Sequence, residues 1–312
     1  SATLAADTFF ETTTYIGAFA PTETSADSWA NFALSGTLFD ETEAECPAGT
    51  TENGTLDGKK LCQISGSNSI TTDLRLTDGD ELIYELNGTV FVGSDRGAEL
   101  NAPNGFAGTL NIEKGVTIVA EGNDDYLVIA RGSRLLSNGT QSQPVVFTAK
   151  SVVDGTIAAL DQDTKGVWGG VVINGRAPIN ACTDATATGG TVDCEKSGEG
   201  SSGLFGGATA DDTSGSITYT QVRFAGFKVN NEDELNGIAF QGVGNGTTVE
   251  FVQVHNNFDD GVEFFGGAVN VKHLVLTQIG DDSMDYTDGW TGNAQFVLVQ
   301  QGALDGSRSG DN

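Results

Sequence analysis

Two acidic turns in the C-terminal third carry the residues that are best suited to chemistry. One reads DDGVE from residue 259, and the other reads DDSMD from residue 281, 22 positions later. Stacked carboxylates of this kind can bind calcium, which takes several oxygen ligands, or act as a general acid and base. Alternatively, the turns are solvated and hydrogen-bond their own backbone. The candidate metal ligands are Asp259, Asp260, Glu263, Asp281, Asp282, Asp285 and Asp288.

Short apolar segments that repeat with the same period must position these turns. The segments VEFVQV, VKHLVL and AQFVLV begin at residues 249, 271 and 294, which are intervals of 22 and 23 residues. A strand, an acidic turn and a second strand at this period predict one coil of a β-solenoid. Alternation predicts that one aliphatic set points into the coil. That set is Val252, Val254, Leu274, Leu276, Val297 and Val299.

The repeat predicts an all-β chain in which a parallel β-helix occupies residues 66–312. Asn236 lies 24 positions before Asp260 and is therefore expected at the same corner, one coil earlier. Residues 1–65 show no repeat, and we interpret them as an irregular N-terminal cap or as an arm that docks onto another subunit. A polar segment at about 181–215 is expected to be an insertion that leaves one corner of a coil.

Charge and cysteine content limit the partners and the compartment. The formal net charge is -28, which argues against nucleic acid and against anionic membrane surfaces. No run of about 20 apolar residues predicts a membrane span. The four cysteines form two local pairs, Cys46 with Cys62 and Cys182 with Cys194, without the C-x-x-C spacing of a zinc site. We therefore expect two disulfides and a secreted protein. Ser1 is interpreted either as a mature N-terminus after removal of a signal or as the start of a trimmed sequence.

Several long phrases resemble a family of secreted bacterial proteins, often called lipoproteins or hypothetical proteins, from Gram-negative bacteria. The phrases include WGGVVINGRAPIN, ELNGIAFQGVG, DDGVEFFGG and DDSMDYTDGWTG, and the resemblance covers most of the chain. The resemblance implies a right-handed parallel β-helix outside the cytoplasm, with no established catalytic residues. It also implies that relatives continue with further coils, whereas a lipobox cysteine is missing near Ser1.

These observations favour a structural function over an enzymatic one. An open solenoid end can add a strand from another molecule, and an aromatic N-terminal segment could cover it. We therefore predict a head-to-tail filament or surface layer at the cell surface, with calcium between the acidic turns. The alternative is a protein that binds or degrades extracellular polysaccharide. The candidate subunit contacts are Phe9, Phe10, Tyr15, Phe19 and Trp29.

Overall fold

The computed structural model describes residues 44–77, 81–101, 104–159, 161, 163–230 and 233–302. The candidate contacts between Phe9 and Trp29 lie outside these residues. Within them, no apolar helix reaches the length that a membrane span needs.

The helical elements are α1 Lys150–Val153 and a 3-10 turn at Glu199–Ser201. The strands are β1 Thr51–Leu56, β2 Lys59–Ser65, β3 Asp73–Leu76, β4 Leu82–Asn87, β5 Val90–Val92, β6 Thr109–Ile112, β7 Thr117–Ala120, β8 Tyr126–Ile129, β9 Arg134–Asn138, β10 Val145–Ala149, β11 Gly170–Asn174, β12 Lys196–Ser197, β13 Leu204–Phe205, β14 Gly215–Arg223, β15 Phe227–Asn230, β16 Asp233–Leu235, β17 Ile238–Gln241, β18 Thr248–His255, β19 Val262–Phe265, β20 Asn270–Thr277, β21 Met284–Thr287 and β22 Ala294–Gln300.

Successive strands return to the same three parallel sheets, so the chain winds as a parallel β-helix, as predicted. Sheet 1 contains β3, β6, β9 and the first halves of β14, β18, β20 and β22. Sheet 2 contains β2, β4, β7, β10 and the second halves of the same four long strands. Sheet 3 contains β5, β8, β11, β17, β19 and β21.

The coil register agrees with the sequence repeat. Val252 pairs with Leu274, which pairs with Val297, and these are the predicted offsets of 22 and 23 residues. Ile238 pairs with Val262 at the predicted offset of 24. The inward residues are buried through β20, which contributes Leu274 and Leu276. Val297 is 38% exposed because β22 is the last strand of the described sheet.

The N-terminal start of the parallel sheet lies earlier than residue 66. Strands β1 and β2 form an antiparallel hairpin, and β2 also pairs in parallel with β4 from Lys60 onward. Leu56 of the hairpin packs with Leu61 and Ile83 in a small hydrophobic cluster. Residues 51–65, which belong to the predicted cap region, are therefore attached to the first described coil through hydrogen bonds and apolar contacts.

Both predicted disulfides are present, and one of them closes a loop within the insertion, which packs against sheet 3. Cys46 is bonded to Cys62, and Cys182 is bonded to Cys194. Cys194 and Phe205 of the insertion pack in a second hydrophobic core with Val172 of β11. The insertion does not simply leave the coil, because its apolar residues cover outward-facing positions of sheet 3.

Candidate functional site

The acidic turns meet at the corner that precedes sheet 3. In β19 and β21, Glu263 pairs directly with Asp285, so these two carboxyls occupy the same outward position in neighbouring coils. Asp259 and Asp260 precede β19 at the same corner. The two turns approach because the coils are one strand spacing apart, about 4.8 Å. The 22-residue repeat thus places five acidic side chains on two adjacent coils. Asp259, Asp260 and Glu263 belong to one coil, and Asp281 and Asp285 belong to the next.

Carboxylate oxygens at this corner are close enough to share one cation. One oxygen each from Asp259, Asp260 and Asp281 lie within 4.8 Å of one another, and so do oxygens from Asp260, Glu263 and Asp285. Two ligand oxygens on opposite sides of calcium are about 5 Å apart, because each bond is 2.3–2.6 Å. We call these five residues the acidic cluster. These spacings would allow the acidic cluster to hold a divalent cation.

An asparagine amide extends the acidic cluster toward the insertion. The Asn236 side chain is 1% exposed, and its Nδ2 donates to Glu263 Oε2 at 2.7 Å and to Glu199 Oε2 at 3.0 Å. Its Oδ1 is buried and has no hydrogen-bond partner among the described residues. A buried amide oxygen without a donor is costly unless a cation or water meets it. The amide therefore supports the carboxylates from the side of the insertion through its N–H groups.

Burial raises the pKa values of three carboxyl groups in the acidic cluster. Asp259, Asp260 and Glu263 are each at most 9% exposed. Burial raises the pKa of Asp259 to about 7, and the nearby Glu234 carboxylate adds to it. Burial, with the Asp259 charge, raises the pKa of Asp260 to about 8. Burial, with the Glu199 charge, raises the pKa of Glu263 to about 10. Without a cation, the cluster therefore retains protons at neutral pH.

Two of the seven predicted metal ligands, Asp282 and Asp288, are not part of the acidic cluster. Asp282 turns its backbone toward the cluster, and its N–H donates to Asp260 Oδ1 at 2.9 Å. Asp288 lies beyond β21 and accepts from Lys196 Nζ of the insertion at 2.8 Å. Asp288 therefore ties the insertion to the last coils, whereas the other five residues form the acidic cluster.

Two further residues, Asn236 and Glu199, lie at the acidic cluster. The sequence repeat predicts the position of Asn236 but not that of Glu199. Asn236 occupies the corner position one coil before Asp260, so its presence beside the cluster follows from the repeat. Glu199 comes from the 3-10 turn of the insertion, which has no repeat to place it. Beside it lies a small cleft of about 200 Å³, lined among others by Lys196, Gln241 and Phe265.

The arrangement permits two kinds of chemistry. The acidic cluster can hold a divalent cation that also binds an oxygen-rich ligand at the protein surface. Without a cation, a protonated Glu263 next to Asp285 has the form of an acid and nucleophile pair, because retaining glycosidases use two carboxyls about 5 Å apart in these roles. Both chemistries would act on ligands that approach Asp281, which is exposed.

Comparison with known proteins supports the architecture. Residues 68–312 match the family model described as a pectate-lyase-like β-helix domain. No curated protein gives a significant match to the chain. No solved structure gives one either. Because the match extends over most of the chain, this protein belongs to the family that carries the pectate-lyase-like β-helix domain.

Proposed function

We propose that the protein is an extracellular polysaccharide-binding β-helix protein whose acidic cluster holds calcium. The observation that carries the proposal is the convergence of five carboxyl groups and the buried Asn236 amide at one corner. The description of the domain family supports polysaccharide as the ligand class. The two disulfides favour an oxidising compartment outside the cytoplasm.

Calcium would connect the cluster to its ligand. A chain of net charge -28 repels anionic polymers, so acidic polysaccharide needs a bridging cation. A cation at Asp260 and Asp285 could keep one side open toward the exposed Asp281 and accept hydroxyl or carboxylate oxygens from a sugar.

Calcium and polysaccharide binding by purified protein provide the direct test. At pH 8, calorimetry is expected to detect calcium binding to the wild type and at least a tenfold weaker affinity in Asp260→Asn. Affinity electrophoresis in a panel of acidic and neutral polysaccharides is expected to show calcium-dependent retardation that the same substitution removes. Asp73→Asn, at an exposed position on β3, is the charge-matched control.

The proposal fails if wild type and Asp260→Asn bind calcium equally, or if chelation leaves all polysaccharide binding unchanged. The same panel reports on cleavage. Release of reducing ends or unsaturated products that depends on Glu263 would assign degradation, rather than binding alone, to the acidic cluster.

Self-assembly into a filament is a second candidate, and strand β22 is the observation that favours it. β22 pairs with β20, and all seven of its residues are exposed. An apolar strand whose outer edge pairs with no other described strand can add a strand from a second copy. Calcium would reduce the repulsion between copies of net charge -28.

Lysine substitutions in β22 test end-to-end assembly. Val297→Lys combined with Val299→Lys is expected to abolish filaments, because two charges then face the added strand. Gln295→Lys combined with Gln300→Lys adds the same charge to the same strand at outward positions. Negative-stain electron microscopy with light scattering reads out assembly. A wild type that stays monomeric with calcium, or filaments that persist in the Val297 and Val299 variant, would contradict this candidate.

A further inference from the structure

A ladder of aromatic rings runs along the outside of the β-helix at the bend between sheets 1 and 2. In each of the four long strands, one aromatic residue at the bend has a positive φ, between 46° and 62°. Neighbouring rings are stacked with centroids 4.2–4.8 Å apart and planes within 12°. We call these four residues the aromatic ladder. They are Tyr219, Phe251, His273 and Phe296.

The choice of residue at this bend is unusual. A positive φ favours glycine or asparagine, and a bulky side chain in that region is disfavoured. Four successive coils nevertheless place an aromatic or imidazole ring there. Stacking of neighbouring rings stabilises this arrangement and offsets part of the backbone strain. The stack also directs the ring edges outward, so that they form a flat apolar wall along the helix axis.

The aromatic ladder forms one side of a groove of about 450 Å³. The opposite side carries an outward row that begins with the amides of Gln221 and Gln253 and continues with Leu298. The turn at residues 140–144 lines one end of the groove. With four coils at about 4.8 Å spacing, the groove is about 14 Å long. Phe296 and Leu298 at its other end are 62% and 59% exposed.

The described residues that line this groove are uncharged in type, although the chain carries 43 acidic and 15 basic residues. Among these described residues there is no Asp, Glu, Lys or Arg. The Nδ1 atom of His273 is hydrogen-bonded to Glu250 Oε1 at 3.1 Å. An anionic ligand would find no cation there, and a cationic ligand would be drawn to the acidic surface elsewhere. The groove therefore matches an uncharged ligand.

The shape and polarity of the groove further limit the classes of ligand that fit it. It is long, follows the coil repeat, and combines an apolar wall with amide donors and acceptors at coil spacing. A polysaccharide strand has the matching features, because each pyranose ring has apolar C–H faces and hydroxyls at its rim. The length of one sugar unit in an extended chain is close to the spacing between coils.

We propose that the groove along the aromatic ladder binds a strand of neutral, β-linked polysaccharide, independently of calcium. The C–H faces of the sugars lie against the ring edges, and the hydroxyls bond to Gln221 and Gln253. This site is separate from the acidic cluster, which lies at the corner before sheet 3. If both sites bind glycan, the groove adds a neutral ligand to a protein whose other site requires a cation.

The test uses the whole protein in chelator, so that the acidic cluster cannot contribute through a cation. Affinity electrophoresis and pull-down with insoluble glucans of the cellulose type are expected to retain the wild type. Phe296→Ser combined with Leu298→Ser is expected to weaken this binding at least tenfold. Phe106→Ser removes an equally exposed ring outside the groove, with 64% exposure, and is expected to bind as the wild type does.

A milder variant guards against a folding defect. Gln253→Ala removes one amide and leaves the stack intact, and it is expected to weaken binding about threefold with an unchanged circular dichroism spectrum. The proposal is overturned if no neutral polysaccharide retains the wild type in chelator, or if the Phe296 and Leu298 variant binds equally well. It is also overturned if these substitutions instead dissociate a dimer, because a second copy would then occupy the groove. Loss of calcium-dependent binding in Asp260→Asn alone would concern only the acidic cluster.

Discussion

Raising the pH from 6.5 to 9 without divalent cations is expected to lower the free energy of unfolding by about 3 kcal/mol or more. The pKa values of Asp260 and Glu263 are raised to about 8 and about 10 by burial and by neighbouring carboxylates. In the unfolded chain these groups ionise at their ordinary values of 3.8 and 4.5. The stability that the bound protons provide is therefore complete below those values and is lost as the pH rises toward the folded-state pKa.

The size of this effect follows from proton linkage. A carboxyl that is protonated when folded and ionised when unfolded lowers the free energy of unfolding by about 1.4 kcal/mol per pH unit. Glu263 alone does so across this whole interval. The pH interval also lies above the pKa of His255, because burial and the Arg223 charge lower that pKa from its ordinary value. Thermal denaturation monitored by circular dichroism at several pH values measures the slope.

Calcium should reverse this pH dependence. Ionised carboxylates bind calcium and protonated ones do not, so calcium is expected to stabilise the protein strongly at pH 9 and little at pH 5. A calcium concentration of 100 times the dissociation constant adds about 2.7 kcal/mol. The combination of Asp260→Asn and Glu263→Gln should flatten the pH slope and remove the calcium effect. Equal pH slopes for the wild type and this variant would show that the acidic cluster is not the source.

The sequence repeat was sufficient to predict the coil register and most of the acidic cluster. Val252 and Leu274 are aligned by a 22-residue period, and the same period aligns Glu263 with Asp285. A parallel β-helix converts a constant sequence interval into direct contact, because each coil lies on the previous one. For this reason Asn236 was also predictable, through its interval of 24 from Asp260.

Other features do not follow from any period. Strand β18 bends at Phe251, so Val249 points inward although its parity is that of the outward Phe251. Simple alternation fails there because the residue with positive φ adds one outward position. Glu199 reaches the acidic cluster from an insertion whose path depends on apolar packing against sheet 3 and on one disulfide. Tertiary contacts of this kind leave no regular spacing in the sequence.

Substitution of Arg131 by alanine is expected to be the most damaging single change outside the apolar core. The guanidinium is 1% exposed and joins three segments of the chain. Its Nε and Nη2 donate to both carboxylate oxygens of Asp95 at 2.7 and 2.8 Å. Its Nη1 donates to the Gly206 carbonyl at 2.9 Å and lies 2.6 Å from Glu195 Oε1. Burial acts against the charged form, but the hydrogen bonds with Asp95 and Glu195 outweigh it and raise the pKa of Arg131.

Arg131→Ala should therefore cost about 3 kcal/mol, at the lower end of the range for a broken buried ion pair, because Asp95 and Glu195 remain partly hydrated. Arg131→Met restores volume without charge and separates packing from ion pairing. Arg134→Ala, at an exposed position on β9, is the matched control and should change stability by less than about 0.5 kcal/mol. Urea denaturation measures the loss.

Limited trypsin digestion adds a local readout, because an insertion released from Arg131 should be cut faster after Lys196. Unchanged cleavage together with unchanged stability would mean that the disulfide and the second core hold the insertion without this ion pair.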